Sequence, residues 1–140
     1  MKYLLDTNII SELRKKSPDI RVVKWMEDID PSVLYLSCIT IGELKTGALK
    51  KAKTDQVAGK ALLEWIDELV NRYEEQIVFI DLETCNKWAE FLAIDSTNAI
   101  DSLLLAQAVT RNTVLVTRNT KHFKMFDIKC LNPFEGDNET

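Results

Sequence analysis

Lys2-Tyr3-Leu4-Leu5-Asp6-Thr7-Asn8-Ile9-Ile10-Ser11-Glu12-Leu13 is the stretch whose reading decides the fold. A short apolar run stops at three polar residues, and the apolar positions that resume at Ile9, Ile10 and Leu13 have helical spacing. This is strand, turn, helix, with an acid at the carboxyl end of the strand. The alternation continues outward. Pro18-Asp19 interrupts the pattern, and Ile20, Val23, Trp25 and Met26 predict a second short helix ending before Pro31. Leu34 to Ser37 predicts a strand, and Thr40-Ile41-Gly42-Glu43 opens the next helix, with Thr40 and Glu43 at the spacing of a capping box. After Asp55, the residues Ala58, Ala61, Leu62, Trp65, Ile66, Leu69, Val70 and Tyr73 recur at three and four positions and form one apolar stripe. Ile77 to Ile80 predicts a strand and Glu83 to Ala93 a helix. A polar turn at Asp95-Ser96-Thr97-Asn98 then leads into a helix over Ile100 to Thr110. Thr113 to Thr117 is a β-branched strand, and Ile128 to Leu131 a last one before Pro133. Strands alternating with helices call for an α/β fold, a three-layer α/β/α sandwich around a mostly parallel sheet.

The chain has 140 residues, 46% of them hydrophobic, enough for one core and too few for a second full domain. One domain over residues 1–134 is expected, with a short acidic, frayed tail over 135–140. Eighteen Lys and Arg against 22 Asp and Glu give a net charge of −4, which excludes the global basic field of non-specific nucleic-acid binders. Any contact with nucleic acid is therefore local, and Arg14-Lys15-Lys16, Lys45, Lys50, Lys51, Lys53, Arg118, Lys121 and Lys124 are the cations able to form such a rim. No apolar run approaches the length of a membrane span, and the N-terminus has no signal-peptide pattern, so cytoplasmic residence is expected. Cys38, Cys85 and Cys130 are odd in number, widely spaced and without a histidine at zinc-ligand spacing; all three read as buried thiols. Gly42 and Gly47 have the gap of a phosphate loop, but Ala48-Leu49 stands where lysine and a hydroxyl residue are required, which rejects that motif. Gly47 serves either close approach of substrate or tight helix packing.

In open parallel sheets the functional crevice lies beyond the carboxyl ends of the strands. Asp6 follows the first strand, Glu43 lies in the first turn of the helix after the second, Asp101 in the first turn of the helix after the polar turn, and Asn119 just beyond Thr113 to Thr117. Glu43 also has a structural explanation as a cap, and Asp101 as an acid favoured by the helix dipole. Asp6 is harder to explain that way, since an acid directly after an apolar strand is costly unless solvated, hydrogen-bonded or bound to a cation. Three convergent carboxylates repel, and a divalent cation relieves them. Oxygen-only donors point to Mg²⁺ or Mn²⁺, and such a site suits phosphodiester hydrolysis.

Four ordered blocks carry a resemblance: Leu4-Leu5-Asp6-Thr7-Asn8-Ile9-Ile10-Ser11-Glu12-Leu13, Leu36-Ser37-Cys38-Ile39-Thr40-Ile41-Gly42-Glu43, Ile100-Asp101-Ser102-Leu103-Leu104-Leu105-Ala106, and Leu115-Val116-Thr117-Arg118-Asn119-Thr120 with the closing Leu131-Asn132-Pro133-Phe134. Together they resemble PIN domains, and more narrowly the VapC-type toxins of bacterial toxin–antitoxin pairs, over nearly the whole chain. The resemblance implies a Mg²⁺-dependent endoribonuclease, commonly dimeric and silenced by a cognate VapB-like antitoxin. It makes Asp6, Glu43 and Asp101 the acidic metal site; beside them Asn119 is expected in the catalytic set through its amide oxygen, and Thr7, Asn8, Lys45, Arg118 and Lys121 are expected to face RNA. Two departures stand out. Related sequences often carry a further acid at the place of Asn119 or of His122, and both are non-acidic here; the turn between Ala93 and Asp101 is also short for the family. His122 reads as a surface residue, with a role as general acid the sharper alternative. Two other readings compete: a catalytically idle module that binds an antitoxin and nucleic acid, and a phosphotransfer enzyme with Asp6 as nucleophile. The second wants an acid where Asn8 stands.

Overall fold

In the computed structural model, which describes residues 1–135, the first strand is β1 (Tyr3–Leu5) and leads directly into α1 (Thr7–Arg14). Then come α2 (Ile20–Asp28), β2 (Leu34–Ser37), α3 (Cys38–Ala52), α4 (Gln56–Arg72), β3 (Ile77–Val78), α5 (Leu82–Ile94), α6 (Ala99–Thr110) and β4 (Val114–Val116). Four strands form one sheet in the order β3-β2-β1-β4, every pair parallel, with Tyr3 opposite both Leu34 and Val114. The strand order turns back at β1, so the crevice between β1 and β4 is the switch point at which α/β sheets hold their ligands.

Period-two alternation on the strands builds both cores. Leu4 points into a cluster with Phe91 of α5, Leu104 and Leu105 of α6 and Phe123, while Leu5 points the other way into a cluster with Ile9, Val22, Leu36 and Leu69. The expected three layers follow. Helix α6 is the buried member, with every residue from Ser102 to Ala108 inside, and the stripe on α4 and its C-cap supply Trp65, Leu69 and Tyr73 to the other core. Gly59 of α4 is where that helix crosses α3. A Cβ placed there would lie 2.5 Å from both Cα and Cβ of Ala52, so the helices approach only because the side chain is missing. Gly59→Val is expected to cost roughly 1–3 kcal/mol of unfolding free energy, measurable by urea denaturation, because backbone must move to admit it.

Three sequence expectations need correcting. The strand over Ile128 to Leu131 is not formed: a 3₁₀ segment (Thr120–Phe126) and the left-handed Asp127 use up the chain, and only Leu131 bridges to Val116. The capping box of Thr40 and Glu43 is absent. Helix α3 begins two residues earlier, capped by Ser37, whose hydroxyl accepts the Ile39 amide at 3.0 Å. Of the cysteines only Cys130 is buried, its thiol pushed up to about 12 by burial, while Cys38 and Cys85 are half-buried. The tail beyond Glu135 lies outside the described residues. Among those that are described, no helix is long and apolar enough to cross a membrane.

Candidate active site

Asp6 leaves β1 at the switch point and begins α1 as its N-cap, with its Oδ1 accepting the Thr7 amide at 2.7 Å. Its backbone amide completes the ladder to Val116 at 2.9 Å. Across the crevice Thr117, fully buried at the end of β4, donates its hydroxyl to Asp6 Oδ2 at 2.8 Å. The same hydroxyl oxygen accepts from the Asn119 amide at 3.1 Å and from Asn8 Nδ2 at 3.3 Å. The Asn8 side-chain oxygen in turn accepts the Arg118 amide at 3.1 Å. Two turns more than a hundred residues apart are thereby locked around one carboxylate.

That carboxylate is only 4% exposed. Burial is the main reason its pKa is pushed up to about 6; the bonds from Thr117 and Thr7 pull it down, and the charges of Asp101 and then Glu43 push it up again. Asp6, Glu43 and Asp101 thus share one field. Asp101 lies in the first turn of α6, half-buried, and burial raises its pKa while His122 opposes the rise. Glu43 is in the second turn of α3, not the first, and is exposed. It accepts the Thr7 hydroxyl at 2.5 Å, with the buried Thr40 hydroxyl 3.3 Å from Thr7. The acid that looked like a cap for its own helix is held instead by the helix after β1.

Among the described residues no three His, Cys, Asp or Glu stand together as a ready-made metal-ligand group. A dedicated protein cage is therefore not what the site offers. The donors fit a hard cation in its other mode, since Mg²⁺ keeps several waters and binds through one or two carboxylates together with substrate phosphates. Asp6, buried among like charges with no cationic side chain bonded to it among the described residues, has the chemistry of such a ligand.

The remaining candidates are distributed less evenly. Thr7 reaches Glu43, and the Asn8 carboxamide is taken up by Asp6, Thr117 and Arg118. Asn119 is exposed just beyond Thr117, and the exposed Lys45 and Lys121 have no ion-pair partner among the described residues. Arg118 places its guanidinium 4.7 Å from the centre of the Phe134 ring. Glu12, part of the first block, is not in the acidic group; it accepts the Asp19 amide and pairs with Lys15, each at 2.8 Å. Sequence reasoning missed the roles of Thr117 and Thr40 and set His122 apart. His122 Nδ1 is 3.1 Å from Asn98 Nδ2, beside Asp101. The one signal for Thr117 was its place directly after a strand.

A model of the PIN domain family matches residues 3–129. The VapC ribonuclease Y4jK of Sinorhizobium fredii is 31% identical over 138 residues, which is 94% of this chain and 97% of that protein. Among solved structures, FitAcB from Neisseria gonorrhoeae superposes with a TM-score of 0.87 at 28% identity, over 94% of this chain and 98% of that one. A toxin–antitoxin complex from Klebsiella pneumoniae superposes with a TM-score of 0.61 at 26% identity, over 87% and 90%.

Proposed function

This chain belongs to the PIN domain family, and from that premise we propose that it is the endoribonuclease toxin of a toxin–antitoxin pair, hydrolysing RNA phosphodiester bonds with Mg²⁺ or Mn²⁺. The observation that carries the reading is Asp6, a buried acid at the switch point, fixed by Thr117 and the Thr7 amide within the field of Asp101 and Glu43. The relative named a ribonuclease and the toxin–antitoxin complex of like fold support it.

Asp6, Glu43 and Asp101 are the acids that would hold the cation, one or two of them directly and the rest through its waters; when bound it would neutralise charge on the phosphoryl oxygens and make water more acidic. The bonds from Thr117 and Thr7 favour the ionised form of Asp6 against its burial and fix the direction of its oxygens. Thr7 holds Glu43 at the mouth of the crevice, where it orients water or accepts its proton. Asn119 offers an amide oxygen without charge. Lys45 and Lys121 meet phosphates on either side, positioning the strand without reading its sequence, whereas Asn8 acts through Asp6 and Thr117. The partner is a VapB-like antitoxin that covers the acidic cleft and directs an arginine toward Asp6 and Asp101, a geometric match for carboxylates. The reading includes a homodimer and residence in the cytoplasm.

Incubation of the purified chain with total cellular RNA tests this. Discrete cleavage in Mg²⁺, abolished by a chelator, is the expected result; absence of cleavage, or cleavage indifferent to chelation, overturns it. A Mn²⁺ titration at constant ionic strength is expected to raise the melting temperature, because a ligand of the native state stabilises it. An unchanged melting temperature counts against the metal site.

A further inference from the structure

Helix α6 begins differently from the five helices before it. Asp6, Asp19, Ser37, Asp55 and Asp81 each accept an amide of the first turn of the helix they start. Asn98, the N-cap of α6, makes no such bond, although asparagine is among the best capping residues. Its backbone is left-handed, at φ 52° and ψ 49°, and its carboxamide goes to His122 instead, with Nδ2 3.1 Å from the ring Nδ1.

Both partners are held from behind. Asp95 accepts the Thr97 amide at 2.9 Å and the Thr97 hydroxyl at 2.6 Å, and the Trp88 indole N–H donates to the Ala99 carbonyl at 3.0 Å, so the chain is fixed on either side of Asn98. His122 is exposed, but Phe123 next to it is buried in the core. A capping bond is forgone, in a backbone conformation that few residues other than glycine adopt, and what results is an imidazole fixed beside Asp101 of the acidic centre.

The same bond decides what the ring can do. A carboxamide nitrogen has only hydrogens to offer, so Nδ1 accepts and the proton of the neutral imidazole is on Nε2. That nitrogen then has no lone pair for a cation, and nothing among the described residues accepts from it. It is an unused donor at the edge of a site whose side chains are otherwise acids.

We propose that His122 is a further catalytic residue of this site: held by Asn98, it donates from Nε2 to a non-bridging oxygen of the scissile phosphate. The proposal rests on the ribonuclease reading. Three acids surround a reaction that must accommodate negative phosphoryl oxygens. A fixed N–H donor meets one of those oxygens without adding repulsion, and because it is in place before substrate arrives it needs no reorganisation at the moment of reaction. Asn98 is the positioning residue, acting through the ring.

His122 is the only histidine of the chain, so protein labelled with ¹⁵N-histidine gives one set of ring signals. In alkaline buffer the neutral ring is expected to carry its proton on Nε2; a proton on Nδ1 overturns the proposal. Steady-state cleavage of a single-stranded RNA in Mg²⁺ then separates the roles, with folding checked by thermal melting. His122→Ala is expected to lower kcat about ten- to a hundredfold, the scale of one hydrogen bond to a charged group, with KM close to wild type. His122→Gln, whose amide N–H takes the place of the one on Nε2, is expected to keep most of the wild-type rate. Asn98→Gly keeps the left-handed turn but removes the carboxamide; it is expected to lower kcat by a smaller factor and to leave the ring proton shared between both nitrogens. A folded His122→Ala that cleaves at the wild-type rate overturns the proposal. So does a His122→Gln as slow as His122→Ala, since the ring's own chemistry is then required, and an Asn98→Gly that matches wild type in rate and ring signals overturns the positioning by Asn98. If wild type cleaves nothing, it is the ribonuclease reading that fails. The phosphate contact is then decided by titrating single-stranded RNA into the labelled protein in chelator, where ring signals that shift uphold it and ring signals that stay unmoved overturn it.

Discussion

Asp101→Asn is expected to lower metal-dependent RNA cleavage about 10²–10³-fold while leaving folding and RNA affinity close to wild type, the scale seen when one preorganised electrostatic contact to a transition state is removed. Asp101 stands in the first turn of α6, half-buried, and its charge is felt at Asp6. The amide preserves size and shape, so lost charge is the principal change. Because the substitution touches no core side chain, an effect through unfolding would show as a fall in melting temperature. A folded variant that cleaves at the wild-type rate removes Asp101 from the catalytic set.

Asp6→Asn is expected to abolish cleavage and, in metal-free buffer, to make the protein more stable. The sign follows from the direction of the shift. An acid whose pKa rises from its ordinary 3.8 to about 6 on folding binds its proton more tightly in the native state, so it costs nothing below pH 4. Its penalty then grows as pH rises toward 6 and is complete above that. At roughly 1.4 kcal/mol per pH unit the cost at pH 7.5 is about 3 kcal/mol. Asparagine carries no such penalty, but it leaves the Thr117 hydroxyl without its anionic acceptor, at about 1 kcal/mol. The net expectation is a gain of about 2 kcal/mol at pH 7.5 with chelator, shrinking towards zero or below at pH 4. With saturating Mg²⁺ the order reverses, since only the ionised acid gains from the cation. Urea unfolding under these three conditions checks it, and an Asp6→Asn variant less stable than wild type at pH 7.5 in chelator overturns it.

Much of this was legible because it is local. Leu34 to Ser37 is a strand at the expected bounds, and Asp6 and Asp101 are where strand ends and helix starts put them, since apolar runs and polar stops are short-range signals. What failed depended on competition between neighbours or on distance. Thr40 had the spacing of a cap, but Ser37 could cap one turn earlier because β2 passes into α3 without a loop. Ile128 to Leu131 has β-forming residues, yet the 3₁₀ segment before it brings only Leu131 within reach of β4. Thr117 could not be assigned to Asp6 from sequence at all, since nothing local joins positions 111 apart. His122 is exposed, as its sequence setting suggested, but its contact with Asn98 could not be read from the chain, because the turn that carries Asn98 has no periodic pattern.

The bond between Thr117 and Asp6 has a consequence in time. On a ribosome Asp6 is made well before Thr117, and β1 has β2 to pair with early, but its other neighbour, β4, arrives only after the 111 positions that separate the two site residues have been added. At 5–20 residues per second that interval is roughly 5–20 s. Throughout it the crevice has one wall, and the carboxylate at its base lacks the hydroxyl that fixes it. A chain that lacks β4 also lacks the hydroxyl that fixes Asp6, and under the function proposed above such a chain is expected not to cut RNA.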